Sequence, residues 1–115
     1  MKINLDNKTF RSLSNSDNGE VSHETIFNYN QKENIICADY SGGAILKGSL
    51  IGKVLDNEEI EFNYQHISLS FELKAGYCKS KVIIQDCGKI KLKEEWQWFT
   101  GDQSEGHSEL IEKIG

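Results

Sequence analysis

Three stretches of the chain alternate between apolar and hydrophilic residues with a period of two, the repeat of a β-strand whose successive side chains face opposite ways. In residues 60 to 66, Ile60, Phe62, Tyr64 and His66 share one side, while Glu61, Asn63 and Gln65 take the other. In residues 89 to 98, Ile90, Leu92, Glu94, Trp96 and Trp98 stand opposite Lys89, Lys91, Lys93, Glu95 and Gln97. Residues 20 to 31 place Val21, His23, Thr25, Phe27, Tyr29 and Gln31 together, and only Ile26 breaks the alternation on the other side. One apolar face and one wet face per strand is the pattern of an antiparallel sheet.

Between such stretches lie short clusters of turn-forming residues: NSDNGE at 15 to 20, QKEN at 31 to 34, SGG at 41 to 43, LDNEE at 55 to 59, SLSF at 68 to 71, DCGK at 86 to 89 and TGDQSEG at 100 to 106. Gly and Asn tolerate positive φ, and Asp and Ser bond their own backbone, so these are turn chemistries. Their close spacing suits strands joined by hairpins and leaves no room for crossover helices. NKTFRSLS, NIICADY, AILKGSLIGKV and ELKAGYCKSKVII complete a set of about eight strands. HSELIEKIG fits helical spacing through Leu110 and Ile114, but a closing strand is the better expectation because every preceding element is β.

About eight consecutive strands with one apolar face must hide that face, and closing on themselves also removes the sheet edges. The expectation is an all-β, single-domain protein over residues 1 to 115: a small antiparallel up-and-down barrel, lipocalin-like or calycin-like in architecture. The lipocalin Gly-x-Trp signature near the first strand is missing, so that likeness is one of architecture only.

The inward face then carries Phe27, Tyr29, Phe62, Tyr64, His66, Leu92, Glu94, Trp96 and Trp98, and the less regular strands add Tyr40, Cys78 and Ser80. A barrel of this size is either filled by side chains or holds one small ligand. Gly48, Gly52 and Gly76 lie in phase with inward positions, where they bend the strands and receive Trp96 and Trp98, or leave space for a ligand. Glu94 is the anomaly among them. A carboxylate among indoles needs a partner or a proton, and Tyr64, His66, Arg11 or a ligand are the candidates. Tyr29, Tyr40, Phe62, Tyr64, His66, Cys78, Glu94, Trp96 and Trp98 are therefore the candidate ligand-binding set, with Glu94 and His66 as the candidate acid-base pair.

Composition narrows the field. A net charge of -5 with Arg11 as the sole arginine argues against a nucleic-acid surface. Lys89, Lys91 and Lys93 read as the solvent side of a strand. No apolar run reaches the ~20 residues of a membrane helix, and the first residues hold no signal-peptide core, so neither a membrane nor a secretory route is expected and the chain reads as cytoplasmic. Three widely spaced cysteines, Cys37, Cys78 and Cys87, suggest neither a disulfide framework nor a metal clip. His23, His66 and His107 lack metal-ligand spacing, and no phosphate loop or nucleophile elbow is present, so no metal and no cofactor is expected.

The blocks FRSLSNSDNGEVSHETIFNYNQ, ADYSGGAILKGSLIGKV, NYQH, GYCKS and LKEEWQWFTGDQSEGHSE together resemble a family of short bacterial proteins commonly labelled N-acetylglutamate synthase. The chain departs from that family's pattern at Phe71-Glu72 and at Lys81. An acyltransferase using acetyl-CoA needs a pyrophosphate-binding turn leading into a helix, and the sequence has neither, so the resemblance implies family membership without that activity. Three functions follow from the residues. The first is a barrel binding a small aromatic or amphipathic molecule, the second an isomerase or hydrolase using Glu94 and His66, and the third a filled barrel acting as an interaction module or homodimer.

Overall fold

The structure, a computed structural model, describes residues 3–15, 21–55 and 58–113. Eight antiparallel strands follow one another around a closed barrel: β1 (Lys8–Asn15), β2 (Ile26–Lys32), β3 (Ile35–Gly42), β4 (Ile45–Val54), β5 (Glu59–Ser68), β6 (Leu73–Ile84), β7 (Ile90–Trp98) and β8 (Glu105–Glu112). Each strand pairs with its neighbours in sequence, and β8 returns to β1, so no edge is left open. The last segment is thus a closing strand, β8, which ends at Glu112. Residues 16–20 of the NSDNGE cluster, residues 56–57 of LDNEE and Ile114 lie outside the described residues.

The alternation seen in sequence is the alternation of burial. In β7, Ile90, Leu92, Glu94, Trp96 and Trp98 are buried, and Lys93, Glu95 and Gln97 are exposed. On the outer face Lys91 reaches Glu109 of β8 at 3.2 Å. One stretch departs from its pattern. Residues 21–25 precede β2 and are not strand, so His23 is exposed and not inward. There Ser22 N donates to Thr25 Oγ1 at 3.1 Å, and that hydroxyl donates to Gly42 O at 3.0 Å, which fastens the segment to the β3–β4 hairpin.

The core is graded along the barrel axis. At the end where the β2–β3 and β6–β7 hairpins turn, Phe10, Ile36, Ile60, Val82, Leu92 and Leu110 pack without polar atoms. Ile3 and Leu5 close that end. Leu5 N donates to Gln31 Oε1 at 2.8 Å, and Gln31 Nε2 donates back to Ile3 O at 3.1 Å. The opposite end, ringed by the β3–β4, β5–β6 and β7–β8 hairpins, is built from aromatic and polar side chains. We refer to it as the mouth.

Candidate functional site

Pairing register lines the inward residues up in rows that run across neighbouring strands. One row runs Phe27, Tyr40, Gly48, His66, from β2 to β5. A second runs Tyr29, Ala38, Leu50, Tyr64, Gly76, Trp98, from β2 to β7. In each, a glycine lies between two ring-bearing residues. With no side chain at Gly48, the Tyr40 ring lies over it and its hydroxyl meets His66 Nδ1 at 3.0 Å. The Tyr64 ring likewise lies over Gly76 and meets the edge of Trp98, with centroids 5.5 Å apart. The expectation that these glycines receive Trp96 and Trp98 is corrected here. Gly48 takes Tyr40, Gly52 lies against Phe62 and Gly76 takes Tyr64, because register sets the flanking partner.

The rings form one connected cluster. Phe27 stacks on Tyr40 at 4.9 Å, Tyr40 meets His66 edge-on, His66 meets Trp98 at 5.7 Å, and Trp98 meets Trp96 at 5.6 Å. Tyr64 joins Trp98 to Phe62. Edge-to-face pairs at these separations add to the burial of the rings and hold them in fixed orientations.

Glu94 sits beneath the rings in a polar row of its own, formed by Asn15, Ser108, Glu94 and Ser80 on β1, β8, β7 and β6. Ser108 Oγ donates to Glu94 Oε1 at 2.9 Å, and Ser80 Oγ donates to Oε2 at 3.2 Å. Neither His66 nor Tyr64 nor Arg11 bonds the carboxyl, and among the described residues no cation pairs with it. Arg11 is on the outer face and His66 is engaged by Tyr40. The expected pairings are thus replaced by two serine hydroxyls. Burial raises the Glu94 carboxyl to about 7, against the smaller lowering effect of the Ser108 and Ser80 hydrogen bonds. Burial first, and then the Glu94 charge, raise the Tyr29 phenol. Burial likewise raises the Cys78 thiol, which is in contact with Ser80 Oγ at 3.6 Å.

A cavity lies between the rings and this polar row. Its walls are Phe27, Tyr40, Phe62, Tyr64, His66, Cys78, Trp96 and Trp98, with Val21 and Leu50, and Asn15, Glu94 and Ser108 supply its polar lining. Of the nine residues expected to form a ligand site, eight line it together. Tyr29 is buried outside the lining, with its hydroxyl unpartnered among the described residues. The free space is about 40 Å³, room for roughly three water-sized atoms at about 10–15 Å³ each.

Asn15 and Ser108 were not expected in the site. Asn15 is re-aimed by a β-bulge between Ser12 and Ser14, which reverses the inward phase of β1. Ser108 shares the phase of Leu110 and is found by reading the last segment as a strand.

The closed eight-strand barrel with an aromatic-lined mouth defines a calycin-type protein. Within that class the chain belongs to the avidin-like proteins, whose family model matches residues 3–113. The match corrects the resemblance to proteins labelled N-acetylglutamate synthase. The matched region is this barrel, and an acetyl-CoA-dependent transferase is a different family. No curated protein and no solved structure matches the chain.

Proposed function

We propose that the protein binds a small, partly aromatic molecule at the mouth, with its polar end directed at Glu94 and its flat part among Tyr40, Tyr64, Trp96 and Trp98. Glu94 carries this reading: a barrel selected only for stability gains nothing from a buried carboxyl without a cationic partner, since an apolar residue there avoids the desolvation cost. The small cavity seats a head group of a few atoms. A larger ligand extends through the mouth past Tyr64, the ring of the cluster that is only half-buried. Membership of the avidin-like proteins supports a small-molecule ligand, and biotin belongs among the compounds to test.

Both indoles report on the site, so the test is a screen of metabolites and biotin by tryptophan emission. A saturable shift carried by Trp96 and Trp98, lost when Tyr64 is replaced, is the expected result. Unchanged emission across the screen, with a crystal structure in which rings fill the mouth, would end the proposal.

A second reading, self-association, rests on an exposed apolar patch beside the mouth. Ile67 and Leu73 pair across β5 and β6 on the outer face, and Leu69, Phe71 and Phe99 extend the patch over the adjoining turns. Contiguous apolar surface of this kind marks contact sites. The occupant we favour is a second copy of the chain. Light scattering over a concentration series checks it, and a monomer at every concentration excludes it.

A further inference from the structure

Among the described residues, the buried side-chain atom that the cavity lining leaves without a partner is an acceptor. Ser108 and Ser80 spend their protons on Glu94, and Asn15 Nδ2 donates to Val21 O at 2.8 Å. Beside Glu94 the wall offers acceptors, Asn15 Oδ1, buried and unpartnered among the described residues, and the outer lone pairs of the ionised carboxyl, while the Tyr64 phenol and the Trp96 indole add donors among the rings. A ligand head that reaches Glu94 and Asn15 therefore brings donors. The surrounding aromatic rings favour positive charge, because an aromatic quadrupole attracts a cation placed over a ring face. The protein already uses one of them this way, with Lys74 Nζ 5.8 Å from the Trp98 ring centroid.

We infer that the cavity takes the cationic, N–H-rich head of a ligand, a planar amidinium or guanidinium, which donates to the Glu94 carboxylate and Asn15 Oδ1 beside Trp96 and Trp98. This inference rests on the reading of the cavity as a ligand site and narrows its ligand class. Size agrees: an amidinium has three heavy atoms and a guanidinium four, and about 40 Å³ holds roughly that many. Charge agrees as well. The titratable groups facing Glu94 are the Tyr29 phenol from β2, the Tyr64 phenol from β5 and the Cys78 thiol from β6, each held in its neutral form by burial. His66 of β5 is on the wall but bonds Tyr40, and among the described residues no lysine or arginine lines the space. Among the described residues the carboxylate thus meets no counter-charge, and a ligand can supply one.

Two small pairs of nearly identical shape isolate the charge: methylguanidinium against N-methylurea, and acetamidinium against acetamide. The readout is the pair of indole N–H signals in a two-dimensional NMR titration of the whole chain, with sodium chloride matching ionic strength. The expected result is saturable movement of both signals with each cation and about tenfold weaker binding of its neutral counterpart. Glu94→Gln should remove at least tenfold of the cation affinity while its near-ultraviolet circular dichroism stays native. Equal or tighter binding of the neutral compounds overturns the cation preference and leaves the ligand site standing. Undiminished cation binding by Glu94→Gln overturns it too. Silence from both pairs overturns it as well, and the metabolite screen then decides separately whether the cavity binds anything. If Glu94→Gln fails to fold, the comparison of charged and neutral probes on the unaltered chain remains decisive.

Discussion

The Tyr40 hydroxyl lies 3.0 Å from His66 Nδ1, and the two residues face each other from β3 and β5 across Gly48 of the strand between them. The contact exists because the middle residue has no side chain. A methyl added there runs into the Tyr40 ring, whose other face is stacked on Phe27.

Gly48→Ala should therefore destabilise the barrel by about 2 kcal/mol, the range of overpacked cores, and should perturb the His66 ring signals in NMR. Urea denaturation measures the first. An unchanged midpoint would mean that the Tyr40 ring moves aside freely.

Glu94 should make stability fall as pH rises. Its carboxyl sits near 7 in the folded chain and near 4.5 when unfolded, so between those values the folded state holds more protons and each step up in pH favours unfolding. The loss begins near the unfolded value and is complete once the pH exceeds the folded one, at about 3 kcal/mol by linkage. Glu94→Gln should remove this slope and be the more stable form at about pH 8. Denaturant melts of both proteins across this window check it, and parallel profiles would count against a buried acid.

Ser108→Ala deletes the donor to Glu94 Oε1. With the lowering hydrogen bond gone, the carboxyl should titrate at a still higher pH, and stability at neutral pH should drop by about 1–2 kcal/mol. Carbon-13 NMR of the Glu94 carboxyl reads the titration directly. An unmoved titration would show that the serine does not hold the charge.

Phe71 adopts a φ of 64°, the left-handed region, while 82% exposed at the β5–β6 turn. Glycine reaches that conformation without steric cost. Phe71→Gly should raise stability by about 0.5–1 kcal/mol, the left-handed strain relieved less the added freedom of the unfolded chain, and weaken any self-association through the apolar patch. Thermal melts and light scattering of the same samples separate the two effects.

Of the thiols, Cys37 and Cys87 are exposed and Cys78 is buried with its thiol held protonated. A thiol reagent should label the first two within the native state and reach Cys78 only on denaturation. Rapid labelling of Cys78 in the native chain would mean that the mouth opens far enough to admit the reagent.

How much of this was legible beforehand depends on the kind of information involved. Alternation in residues 60 to 66 and 89 to 98 assigned each side chain a face, so the inward placement of Tyr64, His66, Glu94, Trp96 and Trp98 was readable from period alone. Turn residues at close spacing separated the strands, and their number required closure. The barrel and most of its lining were therefore written in the order of the residues. Which side chains meet was settled by the folded barrel. A period of two says which face a residue takes and nothing about its neighbour across the strand, which depends on hairpin length and bulges. Hence Glu94 meets Ser80 and Ser108, each 14 residues away along the chain, and not His66. Hence too the glycines receive Tyr40 and Tyr64. The bulge in β1 turns Asn15 inward against its sequence phase. The size of the cavity was likewise beyond pattern, because it is the difference between a barrel's volume and the rotamers that fill it.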